Sequence, residues 1–200
     1  ALFIIYDKVI APYYTSGQTR QADKIEETGD IIIAGHGRFG GIINRMLRAA
    51  GYKTTVLDYN SAHLDMLRAF DLKVYFGDAT RPDLLDAAGI KKSKMLIIAI
   101  DGKDQITELV RHTITNYPDV HVVARAIDRP HVYDLYALGC RDIIRDTYDS
   151  SIRAGRSALE ALGNTAKKAG DISREFERMD RKSMVDLAHL HDFSKPMNEN

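Results

Sequence analysis

The sequence predicts an α/β fold, namely a Rossmann-type, doubly wound parallel sheet of six strands followed by a C-terminal helical extension. Three observations lead to this prediction. Short apolar runs alternate with helical segments between residues 30 and 146. The first run, Ile31 to Ala34, is apolar at every position, as in a strand that is buried on both faces. It breaks at once into a glycine-rich turn that opens a helix.

The glycine-rich turn is the strongest functional signal. Gly35, Gly37 and Gly40 fit the pattern G-x-G-x-x-G, in which the glycines allow a tight turn, close approach of a pyrophosphate and close helix–strand packing. The helix after the turn would direct unpaired N–H groups at the phosphate. Asp58 ends the second strand, close to the roughly 20 residues expected for an acid that binds the ribose. The alternative, that the glycines only turn the chain, is weakened by this acid.

The remaining elements are predicted from helical spacing, capping residues and stop glycines. Thr80 and Asp83 match a helix-capping signature, and Asp128 precedes another helix as a cap. We predict, in order, a helix over residues 39–50, a strand at 54–58, a helix from Asn60 or Ser61 to Phe70, a strand at 73–78, a helix from Thr80 ended by Gly89, a strand at 95–100, a helix over 104–116, a strand at 120–126, a helix to Leu138 and a strand at 141–145.

Ligands of such sheets bind where the strands end. The residues that end the first four strands are therefore the candidates. Asp78 could accept a hydrogen bond from an adenine amine or a ribose hydroxyl, or it could serve only as a turn residue. The candidate nucleotide-binding residues are Gly35, Gly37, Arg38, Phe39, Gly40, Asp58, Asp78, Ala79, Thr80, Ala99 and Asp101.

Composition excludes several classes of function. Lys and Arg number 28, and so do Asp and Glu, so no net field attracts nucleic acid. The only cysteine, Cys140, follows Gly139 beside an apolar strand and is interpreted as a buried thiol rather than a redox nucleophile. We expect residues 1–12 to be either an edge strand or the end of a membrane helix, and residues 15–29 to be a polar linker.

The segment after the sixth strand distinguishes an enzyme from a sensor. A dehydrogenase needs a second element that holds substrate against the nicotinamide. Here the pattern indicates only two helices, at 150–162 and at about 171–191, with apolar stripes that suit either the home domain or a partner subunit. The histidines do not converge at metal-ligand spacing. We therefore predict no catalytic site, no metal site and a nucleotide sensor.

Five segments closely resemble the cytosolic KTN, or RCK (regulator of potassium conductance), domain of the Kef glutathione-gated potassium efflux systems. They are residues 31–40, 56–58, 77–85, 124–126 and 155–163, and the resemblance extends from about residue 1 to 190. It implies three parts: the end of a membrane helix with a polar linker at 1–29, a Rossmann nucleotide-binding KTN/RCK domain at 30–147, and a helical extension for dimerisation and ligand binding at 148–200.

The resemblance also implies a function. The relatives gate a bacterial potassium–proton antiporter at the cytoplasmic face of the inner membrane, which glutathione inhibits and glutathione adducts activate. They bind AMP or NAD(H) in the Rossmann cleft and form homodimers. Their partners are the membrane antiporter domain of the same chain and a flavodoxin-like quinone reductase as ancillary subunit. No nucleic acid is involved.

The family's glutathione site lies between subunits, and four residues here align with it. Arg45 on the first helix and Arg145 after the last strand would bind the ligand. Asp180 stands where the family has an asparagine, which removes an amide donor and adds a negative charge. Phe70 aligns with an aromatic residue that bulky adducts displace. The alternatives are a solvated Arg45, an ordinary ion-pairing Arg145 and a core Phe70.

Two classes of function remain at this point. A ligand-gating module predicts nucleotide binding without turnover and binding of a tripeptide anion. A stand-alone NAD(P)H-dependent reductase predicts cofactor oxidation with some acceptor. The apolar start and the lack of a substrate domain favour the gating module. Asp58 disfavours a 2′-phosphate but does not separate AMP from NAD.

Overall fold

The computed structural model describes residue 25 and residues 28–60 and 74–188. Its centre is a sheet of six strands in the order β3-β2-β1-β4-β5-β6, and every neighbouring pair is parallel. The strands are β1 Ile31–Ala34, β2 Thr54–Asp58, β3 Val74–Phe76, β4 Met95–Ile98, β5 His121–Ala126 and β6 Asp142–Arg145. This order confirms the predicted doubly wound Rossmann sheet.

Six α-helices lie in the described residues, and together they cover both faces of the sheet and form a C-terminal arm. They are α1 Arg38–Ala49, α2 Pro82–Ala87, α3 Lys103–Asn116, α4 Arg129–Ala137, α5 Tyr148–Ala161 and α6 Ala166–Ala188. A 3₁₀ turn at Ile90–Lys92 follows α2. The helix predicted to reach Phe70, the segment at residues 1–12 and most of the predicted linker lie outside the described residues. In the part of the chain that is described, no helix combines the length and apolar character that crossing a bilayer requires.

One capping prediction is wrong. Thr80 does not cap α2, whose N-cap is Arg81 with no side-chain hydrogen bond. Instead the Thr80 hydroxyl and backbone N–H both donate to Oδ1 of Asp78, at 2.7 and 2.9 Å. The local Asp turn competes with the capping box for the same side chain and wins. The Asp128 cap is confirmed, because its Oδ1 accepts the N–H of His131 at 2.7 Å.

The core lies on both faces of the sheet, with β1 at its centre. Ile32 and Ala34 belong to one apolar cluster, and Ile31 and Ile33 to a second cluster on the other face. All four side chains are buried, as predicted for a strand inside a parallel sheet. Cys140 is also buried, as predicted, and this burial raises the pKa of its thiol, which disfavours the reactive thiolate.

The C-terminal arm consists of α5 and α6, which pack against each other. No residue of α5 is buried. Several large apolar side chains of the arm face solvent in the single chain, namely Leu162, Ile172, Phe176, Met179, Val185 and Leu187. The arm therefore carries an apolar surface that the home domain does not cover.

Candidate functional site

The β1–α1 turn has the geometry that close helix–strand packing requires. Gly35 has φ +97°, and a Cβ there would lie 2.9 Å from the carbonyl oxygen of Ala99. A Cβ on Gly40 would lie only 2.0 Å from the carbonyl oxygen of Gly35. Gly37 is different, because a Cβ at this position meets no described atom within 4 Å. The first and third glycines are thus required by the fold, whereas the second leaves open space beside the backbone.

The N-terminus of α1 has neither a capping side chain nor an acid in its first turn. Its N-cap is Gly37, its first turn contains no acid, and it begins with Arg38. Each of the other five described α-helices has an acid in its first turn or a capping side chain: Asp83 in α2, Asp104 in α3, Asp128 at α4, Asp149 in α5 and Thr165 at α6. Because unpaired N–H groups and the helix dipole favour negative charge, this helix end suits an anionic ligand.

Asp58 is fixed beside the turn by two backbone hydrogen bonds. Its Oδ2 accepts the N–H of His36 at 2.6 Å, and its Oδ1 accepts the N–H of Asn60 at 2.7 Å. A carboxylate offers about four lone-pair positions, so each oxygen can still accept one ribose hydroxyl. The two backbone bonds hold the carboxylate at the end of β2 beside the glycine-rich turn, which is the position that the sequence predicts.

A cleft of about 160 Å³ lies between the ends of β1, β2 and β3. Of the predicted residues, Gly35, Asp58, Asp78, Ala79 and Thr80 line it. The lining also includes residues that the sequence analysis did not select: Leu57, Tyr59, Gly77, Ile100 and Gln105. Gly77 has a detectable signal, since it follows β3 directly before Asp78. Gln105 belongs to α3, outside every motif of the sequence, and gives no such signal.

The other predicted nucleotide residues lie around the cleft rather than in its lining. Ala99 is buried and donates its N–H to the carbonyl of Ala34 at 2.8 Å, so it supports the turn from below. Asp101 is exposed and pairs with Arg125. Phe39 lies in the first turn of α1, and Arg38 is exposed beside it. These assignments stay predictions.

Arg125 is the centre of a cluster that the sequence analysis missed. Its largely buried guanidinium donates to Asp101 and to Oδ2 of Asp146, the latter at 2.6 Å, and its Cζ lies 5.6 Å from the centre of the Phe39 ring. Burial opposes the charge of Arg125, but the hydrogen bonds with Asp146 and Asp101 outweigh it and raise the pKa of the guanidinium. The sequence does contain a signal for this cluster, namely a charged residue, Arg125, between two alanines within an apolar strand.

The structure brings two of the four predicted glutathione residues together. Nη2 of Arg145 lies 2.8 Å from Oδ2 of Asp180, within one chain, and both side chains are largely buried. Arg145 also stacks on Tyr148, with its Cζ 3.7 Å from the ring centre. Arg145 thus pairs with Asp180 on α6 of the same chain. The alternative that Arg145 is an ordinary ion-pairing residue therefore describes part of its environment.

Arg45 does not join this pair. It lies on α1, is exposed, and its Nε donates to the carbonyl of Gly41 in the same helix at 3.3 Å. It makes no ion pair with any residue in the described ranges. Phe70 lies outside the described residues. The intersubunit assignment of these residues therefore stays a prediction.

A second cavity, of about 480 Å³, lies between α5 and α6. Arg145 and Tyr148 line one part of it, and apolar side chains of both helices, including Ile152, Leu159 and Phe176, line the rest. Within residues 28–60 and 74–188, no three His, Cys, Asp or Glu side chains lie where they could share a metal ion.

Together the fold and the site define a class: a Rossmann-type domain with a glycine-rich turn at its switch point and a helical arm beside it. The TrkA-N domain family matches residues 31–146, and the family described as the potassium efflux system KefB C-terminal domain matches residues 150–198. The chain belongs to the TrkA-N family, and it is a KTN/RCK domain of the Kef type.

Curated relatives carry the name glutathione-regulated potassium-efflux system protein KefC. The protein of Klebsiella pneumoniae subsp. pneumoniae is 41% identical over 178 residues, which is 87% of this chain and 29% of the relative. That of Cronobacter sakazakii is 44% identical over 173 residues, 84% of this chain and 27% of the relative. The chain therefore spans less than a third of the length of these relatives.

Two solved structures show the same fold. The Kef C-terminal domain of Shewanella denitrificans, in an AMP-bound form, is 43% identical with a TM-score of 0.74, and the match covers 80% of this chain and 99% of that one. The TrkA-N domain of the Escherichia coli inner membrane protein YbaL is 22% identical with a TM-score of 0.59, covering 69% and 99% of the two chains. The second likeness concerns the fold alone.

Proposed function

We propose that this chain is the regulatory domain of a potassium efflux system, and that it binds AMP or NAD(H) at the β1–α1 turn without turning it over. The observation that carries the nucleotide proposal is the N-terminus of α1. Among the described α-helices, it alone has neither a capping side chain nor a first-turn acid. Asp58 stands beside it with both oxygens oriented by backbone N–H groups.

The similar Kef domain was solved with AMP bound, which supports the same ligand here. AMP places one phosphate at the helix N-terminus and a ribose within reach of an acid. The cleft beside β2 and β3 would take the base, with Asp78 at its rim. NAD(H) needs a longer groove along the switch point, toward Ala99 and Asp101.

Glutathione is the second proposed ligand. The curated relatives are named as glutathione-regulated, and this tripeptide has two carboxylates that guanidinium groups bind in bidentate fashion. Arg145 is partly buried and already binds the carboxylate of Asp180. Its surroundings therefore suit the binding of a carboxylate. Arg45 would contribute from the other subunit of a homodimer, and Phe70 would adjoin the ligand.

The remaining partners are proposed from the same relatives, which are more than three times as long as this chain. We propose that residues 1–29 connect to a membrane antiporter domain, that residues 30–147 form the nucleotide unit, and that residues 148–200 form the dimerisation arm. The domain would then lie at the cytoplasmic face of the inner membrane. A flavodoxin-like quinone reductase would be its ancillary subunit.

Calorimetry on the purified chain tests both ligands. We expect AMP and NADH to bind and glutathione to bind at separate residues. Arg45→Ala or Arg145→Ala should abolish glutathione binding yet leave the free energy of AMP binding within about half a kcal/mol, as for distant sites. Mass spectrometry of released small molecules would identify the resident nucleotide. If neither AMP nor NADH binds, the nucleotide proposal is wrong; if NADH is oxidised with quinone acceptors, the chain is a reductase.

A further inference from the structure

Asp180 is shared by two arginines of the sheet domain. Its Oδ2 lies 2.8 Å from Nη2 of Arg145, and its Oδ1 lies 3.6 Å from Nη1 of Arg129. The Asp180 and Arg145 side chains are only 12% and 16% exposed. Arg145 ends β6 and Arg129 begins α4, so this carboxylate of α6 joins three separate elements.

The same face of α6 makes two further contacts with these arginines. Nη2 of Arg129 donates to the hydroxyl of Ser183 at 2.9 Å, and Nη1 of Arg145 lies 3.5 Å from the sulfur of Met184. Positions 180, 183 and 184 are neighbours on a helix surface. We call this set, Arg129, Arg145, Asp180, Ser183 and Met184, the α6 latch. It holds the C-terminal half of α6 against the sheet.

The charges of the latch do not balance within it. It contains two guanidinium groups and one carboxylate, so a second carboxylate would be attracted to it. Yet the Asp180 carboxylate already accepts a hydrogen bond from Nη2 of Arg145, and this contact is shorter than the one between Asp180 and Arg129. Since the pair is mostly withdrawn from water, removing Asp180 from Arg145 is costly unless another anion replaces it.

We infer that Asp180 is an internal anion that competes with the carboxylate of an external ligand for Arg145. Binding of the ligand then requires Asp180 to leave, and α6 is released from the sheet together with Ser183 and Met184. This inference rests on the proposed glutathione site. It adds that Asp180 of the same chain occupies the site until a ligand displaces it. Ligand occupancy and the position of α6 are coupled through one carboxylate.

The coupling has a measurable size. A ligand that binds only the open latch has an apparent affinity reduced by the open fraction. With a charge-assisted hydrogen bond holding the latch closed, an open fraction of a few per cent is expected. Neutralising Asp180 should therefore tighten glutathione binding by roughly tenfold or more.

Asp180→Asn tests the latch, and Asp171→Asn is its matched control. Asp171 lies on the same helix but pairs with Arg174 on the exposed surface, so its loss removes the same charge without touching the latch. Asp180→Glu, which keeps the charge, is the second variant. Two measurements are made on each chain: glutathione affinity by calorimetry, and amide hydrogen exchange of residues 176–188 without ligand.

We expect Asp180→Asn to bind glutathione at least tenfold more tightly and to exchange the amides of residues 176–188 faster, while the control matches the parent. Added glutathione should speed the same amides in the parent but not in Asp180→Asn. Unchanged exchange in a folded Asp180→Asn chain overturns the latch, and so does unchanged or weaker glutathione binding. If no variant binds glutathione at millimolar concentration, the proposed glutathione site fails, and the exchange comparison alone then decides whether the latch exists.

Discussion

Replacing Gly37 and Gly40 separately by alanine distinguishes a glycine that a ligand requires from one that the fold requires. The two residues lie in the same turn and receive the same added methyl group. A Cβ on Gly40 would lie 2.0 Å from the carbonyl oxygen of Gly35 and 3.0 Å from the Cβ of Ala99. A Cβ on Gly37 meets no described atom within 4 Å, and its φ of −65° lies outside the left-handed region that favours glycine.

The expected magnitudes are set by these distances. For Gly40→Ala, backbone must move by roughly 1.5 Å to restore a van der Waals separation of about 3.5 Å. Both colliding atoms belong to packed structure, so we expect a loss near the upper end of overpacking costs, about 3 kcal/mol of the free energy of unfolding. Gly37→Ala changes only the N-cap of α1, which costs at most about 1 kcal/mol.

Urea unfolding and calorimetry with AMP separate the two effects. We expect Gly37→Ala to stay within about 1 kcal/mol of the parent in stability but to lose roughly tenfold or more in AMP affinity, because the methyl group would stand where the phosphate meets the turn. Gly155→Ala is the control: it lies in the interior of α5 with no described atom near its Cβ, and should stabilise the chain slightly with AMP binding unchanged. Parental AMP affinity in Gly37→Ala would refute a phosphate at this turn.

Three further predictions concern ribose binding, assembly and pH. Asp58→Ala should weaken binding of both AMP and NADH by roughly 1.5–3 kcal/mol by calorimetry, the scale of a hydrogen bond to a charged acceptor, and unchanged affinity for both would contradict the ribose role. The full chain should be a dimer by light scattering and Phe176→Asp should shift it to monomer, since Phe176 is an exposed apolar residue of α6; a monomeric parent at micromolar concentration would exclude this interface. His131 is fully buried, and its Nδ1 accepts the N–H of Ile127 while Nε2 meets the hydroxyl of Thr107. Burial, followed by the nearby charge of Lys103, lowers the pKa of His131 from 6.5, so the folded state binds fewer protons than the unfolded state below that pH. Stability should therefore be complete above about pH 6.5 and fall as the pH drops, by at most about 1.4 kcal/mol per pH unit from this group, and His131→Gln should show a shallower decline in urea unfolding from pH 7.5 to 5.5.

Much of the fold could be predicted because local pattern and global topology agree in this chain. Apolar runs such as Met95–Ile98 are short and bounded, and three of the described helices between the strands, α1, α2 and α4, are followed closely by a glycine. The first and third glycines of the β1–α1 turn were predictable, since only glycine tolerates the approach of Gly35 to Ala99 and of Gly40 to Gly35, whereas α1 begins at Arg38, one residue before the predicted start. The error at Thr80 has a local cause. The Thr80 hydroxyl can bond either to Asp78 or, as a helix cap, to the backbone N–H of Asp83, and spacing alone does not show which bond forms.

Contacts between distant segments were not predictable in the same way. Asp180 and Arg145 are 35 residues apart, and the sequence gives no geometry for the turn between α5 and α6. The resemblance to Kef domains implied that both residues contact the same ligand, but not that they contact each other. The direct bond between them required the structure, because it depends on how far α6 folds back along the sheet.

The largely buried guanidinium of Arg125 connects the two halves of the sheet edge at which the parallel strands end. In a parallel sheet all strands end on the same side, so the glycine turn and Arg145 necessarily lie along one edge. Arg125 bonds to Asp101 after β4 and to Asp146 after β6, and its side chain lies over Phe39 of α1. Asp146 in turn accepts the N–H of Thr147, which has φ +60° and precedes α5. A continuous set of contacts therefore runs from the first turn of α1 to the base of the helical arm. Within it, the largely buried Arg125 cannot lose its partly buried partner Asp146 without a substantial cost.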